Sequence, residues 1–181
     1  VPELLRVVGP AGAGKSLLIT SLTESLRSRG YRTASAVQRG EATTVITLST
    51  GSRSTLDRAV PASYLGTVVS WVDPSVQLVF AEGYDDAPGI RAIEVRPAGA
   101  EPYGVDGEDL FAVVATEDLS TAFAEGGPGQ ALPLADRVQR EVLGDSTAPE
   151  TAEAPASPGV ERRIERGFGF GRVMRRFRRR G

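Results

Sequence analysis

Cysteine and histidine are both absent from the 181 residues, and lysine occurs once, at Lys15. Without those two residue types, disulfides, thiolate or imidazole metal sites and Ser-His-Asp chemistry are excluded. Aromatics are sparse, with six Phe, four Tyr and one Trp. No apolar run approaches the roughly 20 residues that cross a bilayer. The chain goes directly into an apolar strand, so no signal peptide is expected, and a cytoplasmic location fits these absences. Net charge is only −2, yet it is unevenly spread. Residues 160–181 carry nine Arg against Glu161 and Glu165, while the rest of the chain is acidic. An acidic body with a basic end points to a tail with a partner of its own.

What is present alternates between strand and helix patterns. Leu4-Leu5-Arg6-Val7-Val8 reads as a buried strand, and Leu18, Ile19, Leu22 and Leu26 form one face of a helix over about 15–29. Strands follow at 33–37 and at 43–48, the latter rich in β-branched residues. Ser49 to Ser54 reads as a polar turn. Pro61 opens a helix whose apolar face is Leu65, Val68, Val69 and Val72, closed by Asp73-Pro74. Residues 76–81 form a continuous apolar run, expected for a strand buried on both faces, which stops at Glu82-Gly83-Tyr84. Further strands are expected at 90–95, 110–115 and, briefly, 132–134, before a closing helix at 136–143. The pattern predicts an α/β fold, a three-layer sandwich around a mostly parallel sheet. Three regions are expected: a nucleotide-binding domain at 1–143, a disordered linker at 144–159 and an Arg/Phe/Gly tail at 160–181.

The lone lysine stands in Gly9-Pro10-Ala11-Gly12-Ala13-Gly14-Lys15-Ser16. This is G-x-x-x-x-G-K-S, the Walker A pattern of P-loop nucleotide-binding proteins. Glycines let backbone N–H groups approach phosphate oxygens, and the helix that starts at Lys15 directs its positive dipole end to the same point. Lys15 is expected on the β and γ phosphates, Ser16 on Mg²⁺, and Leu17 within the binding segment at the helix start. Glu82, at the carboxyl end of the most apolar strand, is expected beside the loop as metal ligand and catalytic carboxylate, with Gly83 offering its N–H to a γ-phosphate. Asp85 and Asp86 are candidates to assist the metal. Thr116-Glu117-Asp118, at another strand end, could pair with the donor edge of guanine. Arg39 is a candidate phosphate or substrate contact.

With these residues in view, the chain resembles the molybdopterin-guanine dinucleotide biosynthesis protein B family. The resemblance lies in Asp73 to Tyr84, continuing to Ile90-Arg91-Ala92-Ile93-Glu94-Val95-Arg96: an apolar strand, Glu-Gly-aromatic, a short loop, then I-E-V-x-R in character. Gly30-Tyr31-Arg32 before the second strand is also similar. It covers about residues 4–143. The resemblance implies a P-loop fold, binding of GTP with Mg²⁺, weak GTP hydrolysis, a homodimer, and an accessory role beside the guanylyltransferase that joins GMP to molybdopterin. The chain departs from the family at Gln38-Arg39, where Lys-His is common, and at Arg53, where an Asp is common. These departures bear on hydrolysis and substrate more than on nucleotide binding.

The resemblance does not reach the tail. Its Arg and Phe residues suit an anionic partner, either nucleic acid or a membrane surface. Three glycines in five residues, Gly167 to Gly171, divide any helix there. Two other functions remain open on the same residues: a small-molecule kinase using ATP, and a nucleotide-dependent binding module that docks through the tail.

Overall fold

The computed structural model describes residues 1–40, 42–119, 131–144 and 162–163. Its elements in chain order are β1 (Glu3–Val8), α1 (Lys15–Ser28), β2 (Thr33–Arg39), β3 (Thr43–Leu48), β4 (Arg53–Leu56), α2 (Ala62–Val72), β5 (Leu78–Glu82), β6 (Ala92–Arg96), β7 (Leu110–Ala115), α3 (Ala131–Val138) and β8 (Arg162–Arg163). They build one sheet in the order β7-β6-β1-β5-β2-β3-β4-β8. Strands β7, β6, β1, β5 and β2 are parallel. The β2–β3 and β3–β4 pairs are antiparallel. The fold is therefore α/β with a mostly parallel sheet, as expected.

Side chains alternate across a strand, so the register sorts them onto two faces. Leu5, Val7, Leu78, Phe80, Ile93 and Val95 pack with Leu18, Leu22 and Leu26 of α1 and with Ala135 and Val138 of α3. On the other face Ala34, Ala36, Ile46, Val79 and Ala81 pack with Leu65, Val68 and Val69 of α2. These are the three layers. α3 is tied to α1 by an Arg29–Asp136 ion pair at 2.6 Å, and Arg137 stacks over Phe111 at 4.5 Å.

Two local expectations are corrected. Leu132–Leu134 is not a strand; it lies within α3, which starts at Ala131 and passes into a π-helical turn over Gln139–Leu143. Pro133 falls in the first helical turn, where its missing N–H costs nothing. Leu134, Ala135, Val138 and Val142 then continue a helical stripe onto the core. The polar stretch at 49–54 is a turn only in its first half. Gly51 N–H donates to the Leu48 carbonyl (2.9 Å), and from Arg53 the chain runs back as β4, with Arg53 opposite Thr47 and Leu56 opposite Thr44. The linker and tail expected at 144–159 and 160–181 lie outside the described residues, apart from Gly144 and Arg162–Arg163. The backbone of the latter pairs parallel with Ser54–Thr55 at the sheet edge.

Candidate phosphate and metal site

All five parallel strands end on one side of the molecule, and the loop from Gly9 to Gly14 crosses that end. Gly9 is dictated by a close approach. Its φ is +141°, and a Cβ would stand 2.0 Å from the Val95 carbonyl oxygen of β6. The Glu-Val-Arg part of the β6 pattern thus has a local purpose. Val95 abuts the start of the loop, while Glu94, 1% exposed, accepts the Tyr103 N–H (2.9 Å) and pairs with Arg96 Nε (3.3 Å). Those two bonds secure the segment that leaves the strand.

Pro10 is half-buried, Ala11 and Gly12 are exposed at the loop tip, and Ala13 is buried. Ala13 N–H donates to the Pro10 carbonyl (3.2 Å), and the Thr116 hydroxyl donates to the Ala13 carbonyl (3.0 Å). Gly14 is the N-cap of α1 and provides no side-chain cap. The amides of Lys15, Ser16 and Leu17 therefore head a 14-residue helix without an intrahelical acceptor. Lys15 Nζ lies back across the loop, donating to the carbonyls of Gly9 (2.8 Å) and Pro10 (3.0 Å).

Glu82 is placed by register. It pairs with Val7 of β1 and Val37 of β2, and it shares a pleat face with Leu78 and Phe80, the face that α1 covers. The second residue of α1 then meets it: Ser16 Oγ donates to Glu82 Oε2 at 3.0 Å. Gly83 turns the chain away with φ +83°, and a Cβ there would meet the Gln38 carbonyl oxygen at 2.8 Å. The loop, Lys15, Ser16, Leu17, Glu82 and Gly83 are thus gathered at one place.

The other candidates fare differently. Asp85 and Asp86 are exposed. Among the described residues no three Asp or Glu side chains form a metal-binding group. A hydroxyl and one carboxylate, both hard oxygen donors, nevertheless suit Mg²⁺, which keeps several waters and takes its remaining ligands from phosphates. Residues 116–119 are helical rather than a loop. Glu117 accepts the Ala98 N–H at 3.0 Å, Asp118 is exposed, and Leu119 packs on the α1 side of the core. Arg39 is exposed at the end of β2, where it pairs with Thr43 and closes the β2–β3 hairpin.

One residue near the site escapes sequence reasoning. Arg6, in the middle of β1, is 3% exposed, and its guanidinium reaches the segment after Gly83. The available signal is a charge inside an apolar run. Nearby, Tyr84 is buried, and burial raises its phenol above the ordinary value, an effect that Thr44 beside it only partly offsets.

No protein-family model matches the chain, and no curated protein does. Among solved structures it is similar to a MobB protein homolog from Bacillus stearothermophilus, with 16% identity and a TM-score of 0.41 over 74% of this chain and 97% of that one. It is also similar to a molybdopterin-guanine biosynthesis protein B structure, with 21% identity and a TM-score of 0.40 over 72% of this chain and 99% of that one.

Proposed function

We propose that this chain binds GTP with Mg²⁺ at the Gly9–Leu17 loop, hydrolyses it weakly, and serves as an accessory protein in molybdenum cofactor maturation. The observation that carries the nucleotide reading is the 3.0 Å bond between Ser16 and Glu82. It joins the hydroxyl of the loop motif to the carboxylate at the adjacent strand end, two groups that the sequence separates by 66 positions. The molybdenum reading rests on the resemblance of residues 73–96 to the molybdopterin-guanine dinucleotide biosynthesis protein B family. The guanylyltransferase as partner, a homodimer and an anionic partner for the basic tail belong to the same proposal.

Each group in the site has a physical task. Lys15 exchanges the Gly9 and Pro10 carbonyls for phosphate oxygens, which carry more charge. The amides of Lys15, Ser16 and Leu17 add the field of the helix start. Gly83 presents its N–H to the γ-phosphate. Ser16 and Glu82 would hold Mg²⁺, which when bound neutralises charge on the β and γ phosphates. Glu82 also orients a water at the γ-phosphate. With no group of three acids to hold a metal among the described residues, slow hydrolysis is the expected rate class. Asp118 is the carboxylate left for guanine, since Glu117 is committed to Ala98.

Calorimetric titration of the full chain tests this. Mg-GTP should bind, EDTA should weaken it, and ATP should compete poorly. Absence of binding by any triphosphate at millimolar concentration ends the nucleotide reading. A preference for ATP, with transfer to an acceptor other than water, would replace it with a kinase.

A further inference from the structure

Arg6 occupies the middle of a central parallel strand, with 3% exposure. A guanidinium keeps its proton inside a protein, so a full charge is buried there and needs partners. The register makes room for it. Arg6 stands opposite Ala81 of β5 on one side and Ala92 of β6 on the other, and both alanines are buried. Its side chain lies on the pleat face of Leu4 and Val8, away from α1.

On that face the guanidinium meets both ends of the 84–90 loop. At the start, Nη1 donates to the carbonyls of Asp85 (2.7 Å) and Tyr84 (3.5 Å). At the finish, Nε donates to the carbonyl of Ile90 (2.9 Å). Nη2 lies 3.5 Å from Asp109 Oδ2, which also accepts the Gly89 N–H (2.8 Å). One planar group therefore closes the loop that begins immediately after Glu82 and Gly83. Stability alone is a weak reason for this arrangement, because a packed apolar side chain often serves a core as well as a buried ion pair or better.

We propose that Arg6 is a positioning residue of the triphosphate site: by buckling the 84–90 loop it sets the backbone direction at Gly83, and with it the amide that meets a γ-phosphate. The proposal rests on the nucleotide reading given above. It makes Arg6 matter for a triphosphate and not for a diphosphate, since the loop, Lys15 and the α1 amides hold the inner phosphates without it.

The test compares Mg-GTP and Mg-GDP affinities of the full chain carrying Arg6→Met, with hydrogen exchange over residues 83–90. GTP affinity should fall by about tenfold, the worth of one charge-assisted hydrogen bond, with GDP affinity unchanged and exchange over the loop accelerated. Arg6→Lys should recover part of the GTP affinity. A folded Arg6→Met chain with an unaltered GTP:GDP ratio overturns the proposal, as does an equal fall for both nucleotides. Should Arg6→Met fail to fold, Asp109→Asn gives the same readout. It should lower the GTP:GDP ratio by a smaller factor, and an unchanged ratio overturns the proposal. A wild-type chain that binds neither nucleotide defeats the nucleotide reading itself and takes this proposal with it, an outcome visible before any variant is made.

Discussion

On the two faces of β1 and β5, polar groups are treated in opposite ways. Toward α1, Ser16 is exposed and Glu82 half-buried, and Lys15 is held by the Gly9 and Pro10 carbonyls of its own loop. Toward α2, Arg6 is 3% and Tyr84 6% exposed, and the Arg6 guanidinium is engaged through all three of its nitrogens. Groups that must exchange partners with a ligand stay near water, where little desolvation has to be repaid. Groups that hold backbone are sealed, where their bonds gain strength from a low dielectric. Substitutions on the α1 side should therefore change binding and leave stability alone, and substitutions on the α2 side should act first on stability, reaching binding only where, as at Arg6, the group holds backbone that the ligand meets.

The largest effect is expected at Lys15. Lys15→Ala removes the one lysine in the chain, and Mg-GTP affinity should fall by about a hundredfold, given roughly 1.5–3 kcal/mol per charged hydrogen bond. Thermal unfolding of the variant should stay close to wild type, since the lost bonds run to half-buried carbonyls. A large drop in melting temperature, with little change in affinity, would erase the distinction between the faces.

Gly83 stands on the boundary and should move both quantities. Gly83→Ala places a Cβ 2.8 Å from the Gln38 carbonyl oxygen at φ +83°, and strain of this kind costs about 1–3 kcal/mol. Denaturant unfolding should show the loss, and GTP affinity should fall with it. Glu82→Gln sharpens the comparison from the ligand side. The amide oxygen can still accept the Ser16 hydroxyl, but the charge for a metal is gone. GTP affinity should drop by about tenfold in Mg²⁺ and hardly at all in EDTA, on the scale of one charge-assisted contact. Equal effects in both buffers would remove Glu82 from the metal.

How much of this is legible in the chain depends on whether the physical demand is local. The Gly9–Ser16 loop is written in backbone requirements at fixed spacing, and Glu82 is marked by the end of an apolar run, so both are read directly. β4 is hidden because Arg53-Ser54-Thr55-Leu56, next to the sheet edge, has no fully buried side chain, and it needs no apolar alternation to pair with β3. Residues 132–134 look like a strand end because Leu-Pro-Leu has no period of its own. Only the longer stripe through Val138 and Val142 shows the helix. Arg6 is the hardest to read. Its room is made by Ala81 and Ala92, residues 75 and more positions away that become neighbours only through the registers of two parallel pairings.

The smallest effect, and the most selective for the α2 side, concerns pH. Burial raises the Tyr84 phenol above its ordinary 10.0, so the folded state favours the protonated form. A raised folded value means that this contribution to stability is complete below pH 10 and is lost as pH climbs through the higher folded value. Tyr84→Phe abolishes that ionisation. Its unfolding free energy should match or slightly exceed wild type at neutral pH, because the buried phenol has at most a weak contact with Thr44, whose hydroxyl is already satisfied by the Arg58 carbonyl and the Val60 N–H, so removing it leaves no partner orphaned. Above pH 10 the variant should lose stability more slowly than wild type, and the two denaturation curves should diverge in that range alone. Nucleotide affinity should be the same for both at neutral pH. A shift in GTP affinity with no alkaline divergence would place Tyr84 beside Arg6 among the groups that serve the ligand, and burial on this face would no longer mark Tyr84 as a structural residue.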